Sequence, residues 1–157
     1  MPGPVDYARI HIAPDQDMAA WWDATKDKRF LLPKCAQCGL MWWPPAPGCR
    51  RCTSLEQTWH QIKGVGEIHS YIVVSQPIAA HMATAVPYVL AIVELPDGTN
   101  DDGSKTRIHA LLLDDEKDVA IGLPVALTWD DHPSQPYKLP RWGITAKSAP
   151  GMWKHPG

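Results

Sequence analysis

Hydrophobic positions in the first part of the chain follow a helical period. Met18, Trp21, Trp22 and Thr25 recur at intervals of three and four residues within residues 14–28, which places them in one stripe on a helix surface. The segment opens with a proline and ends in basic residues, as helix termini favour. The pattern predicts a helix over 14–28, whose tryptophans either pack on the chain's own domain or dock a partner.

The hydrophobic pattern changes to strands from Trp59 onward. Short apolar segments, the first of them alternating, are separated by turns rich in glycine, proline and aspartate, which is typical of an all-β domain. The expected strands are Gly64–Val74, Tyr88–Leu95, Lys105–Leu113, Pro124–Trp129 and Tyr137–Thr145. Five short strands indicate a small Greek-key barrel of the OB type.

The connections between these strands are short. Residues 97–104 form an acidic hairpin turn that does not match a calcium loop, so we expect it to be solvated. Residues 114–122 connect the third and fourth strands and leave room for a single helical turn. The composition predicts a loop of small residues at 77–87 and a loose tail at 147–157.

All four cysteines of the chain lie in one short segment between the helix and the strands. They form two Cys-x-x-Cys pairs, separated by ten residues, at Cys35, Cys38, Cys49 and Cys52. Two such pairs a hairpin apart are typical of a structural Zn²⁺ site, in which four protein ligands close the coordination shell. We therefore predict a structural zinc ion that does no chemistry.

The residues around the cysteines refine this prediction. Gly39 follows the first pair, where a positive φ is often needed, whereas Thr53 holds the matching place in the second pair and fits it less well. Lys34, Arg50 and Arg51 flank the cysteines and would offset the negative charge of a four-thiolate zinc site. The apolar residues 40–45 between the pairs either fold back on the barrel or meet another chain.

Other interpretations of the cysteines are two disulfides, four free thiols, or one redox-active pair. Disulfides suit secreted proteins, but residues 1–12 contain prolines and charges and no apolar run, so we expect no signal peptide and a cytoplasmic location.

No apolar run in the sequence reaches transmembrane length. A hydrophobic content of 45% supports a packed core. The formal net charge of −2 argues against a strongly basic nucleic-acid binder.

The sequence thus predicts a mainly β protein with an N-terminal helix, a rubredoxin-like zinc ribbon and a five-stranded OB-fold barrel. The expected segments are an N-terminal helical segment (1–30), the zinc ribbon (31–58), the OB-fold (59–146) and a C-terminal tail (147–157).

Several pieces of the chain, in this order and spacing, resemble a known family. They are Cys35-Ala-Gln-Cys38-Gly39, Trp43-Pro44-Pro45, Cys49-Arg-Arg-Cys52, Gly64–Tyr71, Pro87–Leu95, Ile121–Val125 and Leu139–Arg141. Together with the tryptophan-bearing helix they resemble the zinc-ribbon plus OB-fold acyl-CoA-associated proteins, known as domain of unknown function thirty-five. The resemblance covers roughly residues 15–146.

The resemblance implies a companion subunit of a thiolase-like enzyme, such as a thiolase, an acyltransferase or an aldolase that cleaves steroid side-chain CoA thioesters. The companion would supply an interface or help to hold the acyl-CoA, while the partner supplies the nucleophile. The family's metal ligands correspond to the four cysteines. The side chains that we expect to contact acyl-CoA or the partner are Trp21, Trp22, Lys26, Lys28, Arg29, Trp42, Trp43, Arg50, Arg51, His81 and Met82.

Two other functions remain open from the sequence. Zinc ribbons and OB folds also occur in modules that bind single-stranded nucleic acid, where bases stack on aromatic side chains. An enzyme acting alone is the third hypothesis, although none of the seven histidines has a catalytic motif around it.

Overall fold

The computed structural model describes residues 2–153 of the chain. One helix, α1, spans Ala19–Thr25. The strands are β1 (Leu31–Cys35), β2 (Gln57–Gln61), β3 (Val65–Val74), β4 (Tyr88–Thr99), β5 (Lys105–Leu111), β6 (Pro124–Asp131) and β7 (Lys138–Ile144). Short 3-10 turns lie at Tyr7–Arg9, Ala80–Met82 and Glu116–Asp118. The last of these is the single turn expected between the third and fourth barrel strands.

The strands form two antiparallel sheets. Strands β1 and β2 pair with each other and make the ribbon, so the expected boundary after residue 58 falls inside β2. The other five strands form a sheet in the order β5-β4-β3-β6-β7. A parallel bridge between Leu112 and Trp142 brings the two edges of this sheet together, and the Leu113 N–H donates to the Trp142 carbonyl over 2.8 Å. The curled sheet and its strand order confirm the OB-fold.

The core lies inside the curl of this sheet. Alternate residues of β4 and β5 point inward, as strand geometry requires, and their side chains are buried around the indole of Trp142, which is 1% exposed. The other side chains buried almost completely here include Ile68, Val89, Val93, Leu95, Ile108, Leu112, Leu123 and Val125. Trp21 and Phe30 extend the same cluster toward the ribbon, so the helix packs on its own chain.

Helix α1 is shorter than the predicted 14–28 because side chains and turns hold its flanks. The Asp15 carboxylate accepts the N–H groups of Asp17 and Met18 at 3.0 and 2.9 Å, which replaces the first helical turn. At the other end Lys28 takes a φ of 58°, and the Arg29 N–H donates back to the Ala24 carbonyl at 3.1 Å. This left-handed ending terminates the helix.

The N-terminal segment, expected to be irregular, lies along the outside of the barrel. The Tyr7 hydroxyl donates to Asp130 at 2.7 Å, and the buried Arg141 guanidinium donates to the same carboxylate at 3.0 Å. Burial, followed by the hydrogen bond to Asp130, raises the pKa of Tyr7 to about 12. Further along, Ile12 exchanges two hydrogen bonds with the Gln135 amide, at 2.8 and 2.9 Å. These bonds fasten the segment to β6 and the turn before β7.

The prediction of a loose tail is wrong for residues 147–153, the part of the tail that the structure describes. Ile121 and Trp153 exchange backbone hydrogen bonds of 2.6 and 2.9 Å, which return the chain to the barrel. The left-handed Gly122, with a φ of 90°, lies against the backbone of Gly151 and Met152, where a Cβ would make van der Waals contact. Residues 154–157 lie outside the described part of the chain.

Candidate metal centre

The two Cys-x-x-Cys segments fold into matching turns. In the first, the Gly39 N–H donates to the Cys35 carbonyl at 3.0 Å and the Cys38 N–H faces the Cys35 sulfur at 3.4 Å. In the second, the Thr53 N–H donates to the Cys49 carbonyl at 2.9 Å and the Arg51 N–H faces the Cys49 sulfur at 3.4 Å. Both turns close with an N–H bond to the carbonyl of their first cysteine, four residues back, and each directs two sulfurs toward one point.

The four sulfurs have the separation that a tetrahedral metal requires. The Cys35 and Cys52 sulfurs are 3.5 Å apart, those of Cys38 and Cys49 are 3.6 Å apart, and all four lie within 4.8 Å of one another. Zinc–sulfur bonds of about 2.3 Å give a tetrahedron with edges of about 3.8 Å. The cluster can therefore hold a metal ion, and its donor set fits Zn²⁺.

The electrostatics of the cluster favour thiolates at some positions and protons at others. Backbone N–H groups of Cys38 and Gln37 lower the pKa of Cys35 to about 6, and the N–H of Cys52 lowers the pKa of Cys49. At Cys52 the Ser54 amide favours the thiolate, but burial and the neighbouring sulfurs outweigh it and raise the pKa to about 11. A divalent cation would displace the remaining protons.

The residue after each second cysteine needs a left-handed backbone, as the sequence suggested. Gly39 has a φ of 75° and Thr53 a φ of 64°. Glycine adopts this conformation without cost, whereas a β-branched residue is strained in it. The second turn thus keeps its shape despite an unfavourable residue.

The acidic turn expected to be solvated instead contacts the ribbon. Arg51 donates to Asp101 at 2.9 Å and to Asp102 at 3.3 Å. The buried Asn100 side chain accepts the Met41 N–H at 2.8 Å and donates to the Met41 carbonyl at 3.2 Å. The Asn100 side chain therefore bonds both backbone groups of residue 41, as a neighbouring strand would. The sequence did not indicate this contact, because the two positions are far apart along the chain.

The apolar segment between the two turns folds back rather than standing free. Leu40 and Trp42 pack around the cysteines as a small separate core, and Trp43 packs against Phe30 with ring centroids 5.0 Å apart. Three of the expected contact residues, Trp21, Trp42 and Met82, have buried side chains within this chain. Their side chains serve the packing of this chain and present little surface to a partner.

The expected contact residues in the second half of α1 and just beyond its end are exposed or half-buried. The Lys26 ammonium pairs with Asp23 at 2.8 Å and lies 5.4 Å from the centre of the Tyr137 ring. Trp22 is half-buried and packs its ring edge on the same tyrosine. Arg29 is exposed and has an Asp27 carboxylate at 4.0 Å.

The remaining expected contact residues lie apart from one another. Lys28 is exposed beyond the end of α1, and His81, half-buried, lies in the 3-10 turn whose carbonyl accepts the Asp6 N–H at 2.9 Å. Arg51 is held by the acidic turn, whereas Arg50 and Trp43 line a cleft at the edge of β5. The structure does not bring the expected set together into one surface.

Six of the seven histidines lie in the described part of the chain, and their contacts are with backbone groups and carboxylates where contacts are seen. Within residues 2–153, no hydrogen bond joins a histidine ring to the side chain of a serine, threonine or cysteine; His155 lies outside this range. His132 is buried, its Nε2 bonds the Ile10 carbonyl at 2.8 Å and its Nδ1 accepts two backbone N–H groups. His69 and His60 each face one carboxylate at 3.7 Å. None of the helical segments within residues 2–153 combines the length and the hydrophobicity of a membrane-spanning helix.

Comparison with known proteins places this architecture in a family. A family model described as the ChsH2 C-terminal OB-fold domain matches residues 59–130. The chain is 30% identical over 116 residues to a DUF35 domain-containing scaffold protein of Methanocaldococcus jannaschii, covering 71% of this chain and 75% of that protein. It is 36% identical over 115 residues to a probable enoyl-CoA hydratase alpha subunit of Thermomonospora curvata, but spans only 34% of that protein's length.

A solved structure shows the same likeness in three dimensions. The DUF35 chain of the Ltp2-ChsH2(DUF35) aldolase superimposes with a TM-score of 0.73 and 31% sequence identity, over 87% of this chain and 100% of the matched chain. The similarity extends over both the cysteine ribbon and the barrel, because the match covers more of the chain than the OB-fold alone. The chain therefore belongs to the DUF35 family, the zinc-ribbon and OB-fold proteins that its sequence resembles.

Proposed function

We propose that this chain is a non-catalytic, zinc-containing accessory subunit that binds a thiolase-like enzyme and supports its work on CoA thioesters. The observation that carries the proposal is the likeness to the whole DUF35 chain of the Ltp2-ChsH2(DUF35) aldolase. The scaffold protein of Methanocaldococcus jannaschii and the hydratase subunit of Thermomonospora curvata support the same class of role.

The cysteine cluster supports an accessory role. Four thiolates complete the coordination of a tetrahedral zinc ion, so no position is left for a substrate or a reactive water. Such an ion would hold the ribbon together, since a segment with so small a core has little else to stabilise it. We therefore assign Cys35, Cys38, Cys49 and Cys52 to a structural zinc.

The outer face of the barrel offers a surface on which a partner could dock. Ile72 of β3 pairs in register with Leu90 of β4, which pairs with Leu111 of β5. We call these three residues the outer strip. Ile72 is 61% exposed and Leu90 37% exposed, and Leu111 is half-buried at the end of the strip, while Val89 and Ala91 on either side of Leu90 are buried in the core. Neighbouring exposed aliphatic side chains are typical of interaction surfaces.

The proposal is tested by capture from the source organism. A tagged wild-type chain should recover a thiolase-fold enzyme, and the captured material should turn over acyl-CoA thioesters. The double variant Ile72→Glu, Leu90→Glu should lose this enzyme, because two carboxylates would be buried at the interface. Both positions are exposed, so the variant should keep its fold, which circular dichroism checks.

Leu55→Glu is the matched control, because Leu55 is 77% exposed but lies in the ribbon, away from the outer strip. It should capture the enzyme as wild type does. Recovery of single-stranded nucleic acid in place of an acyl-CoA enzyme would overturn the proposal, as would acyl-CoA turnover by the purified chain alone. The cytoplasmic location remains a prediction.

A further inference from the structure

A polar cleft lies where the ribbon meets the barrel. Its volume is about 640 Å³, and it is lined by Trp43, Arg50, Glu94, residues 103–106 and Arg107. The lining therefore comes from the ribbon, from the acidic turn and from strands β4 and β5. We call this space the junction cleft. A volume of this size accommodates a small organic ligand.

Cations outnumber anions in the junction cleft. Lys105 and Arg107 are alternate residues of β5 and so face the same side of the sheet. Glu94 faces both, accepting Nε and Nη2 of Arg107 at 2.9 Å and lying 4.0 Å from the Lys105 ammonium. Within residues 2–153, no carboxylate lies within ion-pair distance of Arg50. Lys105 and Arg107 thus share one carboxylate, and Arg50 adds a third cation to the lining.

The neighbouring aspartates do not cancel this excess. Asp101 and Asp102 pair with Arg51 at 2.9 and 3.3 Å. Asp102 also accepts both the hydroxyl and the backbone N–H of Ser104, at 2.6 and 2.9 Å. The acidic turn is therefore engaged with the ribbon and with itself, so Glu94 is the carboxylate of the lining that a bound anion would compete with.

A fixed aromatic ring completes the lining. Trp43 packs against Phe30 and Trp21, with ring centroids 5.0 and 5.5 Å away, and also lines the junction cleft. These contacts hold the indole in place, so little conformational entropy is lost when a ligand binds it. Guanidinium groups pair with phosphate oxygens through two parallel hydrogen bonds, and indole rings stack on nucleobases.

We infer that the junction cleft binds a nucleotide, with Arg50, Lys105 and Arg107 at its phosphate groups and Trp43 against its base. The inference rests on the proposed function only in naming the nucleotide end of CoA as the natural source. The chemistry of the cleft can be tested on the purified chain, with no partner present. A nucleotide fits better than an acidic peptide, because the cations surround a concave space with an aromatic wall.

The test is calorimetric titration of the full purified chain with adenosine 3′,5′-bisphosphate. Arg50→Gln and Arg107→Gln should each weaken binding by about tenfold, since each removes a charge-assisted hydrogen bond. Glu94→Gln should tighten binding by about threefold, because it removes the carboxylate that competes with phosphate. A residue with a merely structural role would not produce effects of opposite sign. Raising the ionic strength should weaken binding.

Two further variants locate the site. Lys138→Gln is the matched control: its ammonium pairs with Asp131 at 2.8 Å and does not line the cleft, so binding should not change. Arg29→Gln tests the basic residues at the end of α1, and its binding should also match wild type. If Arg29→Gln loses binding while Arg50→Gln keeps it, the junction cleft is the wrong site.

The remaining outcomes also decide the inference. Absence of binding at millimolar bisphosphate would overturn it, as would binding that Arg50→Gln and Arg107→Gln leave unchanged. If a single-stranded oligonucleotide binds more tightly than the bisphosphate, the ligand of the cleft is nucleic acid, and the inference of a nucleotide site is overturned. Absent bisphosphate binding, or binding that the arginine variants leave unchanged, would leave the capture of an enzyme by the outer strip untouched, so these failures are distinct from failure of the proposed function.

Discussion

At the scale of single residues, the two cysteine turns differ at one informative position. Gly39 and Thr53 occupy equivalent places and adopt φ values of 75° and 64°. The left-handed region costs an ordinary L-residue about 1–2 kcal/mol and glycine almost nothing. Thr53 donates its hydroxyl to the Cys52 carbonyl at 2.6 Å, which offsets only part of that cost. The second turn therefore stores strain that the first does not.

Thr53→Gly should accordingly raise the free energy of unfolding by roughly 1 kcal/mol, once the greater flexibility of glycine in the unfolded chain is allowed for. Urea denaturation of the purified wild-type and variant chains measures this change in the free energy of unfolding. Gly39→Thr is the matched reverse change: no atom lies within 4 Å of a Cβ at Gly39, so any loss there is conformational. A stability that falls with Thr53→Gly would show that the threonine side chain is needed in the turn.

The turn residues could be predicted from the sequence because they depend on local spacing. Asn100 could not, since its role is to bond Met41 across the ribbon–barrel contact. Nothing within a few residues of Asn100 signals that contact, and the surrounding aspartates favour a solvated turn. Pairing between distant segments is set by the assembled fold.

At the scale of elements, side-chain hydrogen bonds set several boundaries that hydrophobic periodicity does not. The tryptophan stripe correctly located α1, but the Asp15 carboxylate replaced its first turn. The N-terminal segment has no hydrophobic periodicity, yet Tyr7 and Ile12 hold it on the barrel through hydrogen bonds. Such contacts join residues far apart in sequence, so they leave no local pattern.

The N-terminal segment should confer a pH dependence on stability. The pKa of Tyr7 is about 12 in the fold against 10.0 ordinarily, so the neutral hydroxyl is the form that the fold stabilises. This contribution is complete below pH 10 and is lost as the pH rises toward 12. The melting temperatures of wild type and Tyr7→Phe should therefore differ at pH 8 and approach each other between pH 10 and pH 12. If the difference in melting temperature between the two proteins stays constant across this pH range, the neutral Tyr7 hydroxyl does not stabilise the fold.

The proposed zinc ion should stabilise the ribbon and not the barrel. The cysteines, Leu40 and Trp42 form a core separate from that of the barrel. Removal of zinc by a chelator should therefore abolish amide protection between Cys38 and Cys52, and leave it intact in β3 to β7, as hydrogen exchange would show. Re-addition of zinc is the control and should restore protection. Unchanged protection in a metal-free chain would mean that the ribbon is stable without an ion.

At the scale of the whole molecule, the barrel and the ribbon form one body through a few specific contacts. The parallel bridge between Leu112 and Trp142 curls the sheet, and the Arg51 ion pairs fasten the second cysteine turn to the acidic turn. The order of helix, ribbon and barrel could be predicted from the cysteine spacing, the strand pattern and the family resemblance. The closure of the sheet and the junction cleft could not, because both depend on how distant strands meet.

The central claim is that this chain supports catalysis without performing it. The most direct measurement is acyl-CoA thioester turnover by the captured complex and by its separated subunits. We predict no turnover by this chain alone, and full turnover when it is recombined with its partner enzyme. Turnover by the isolated chain, abolished by a single histidine substitution, would contradict the account.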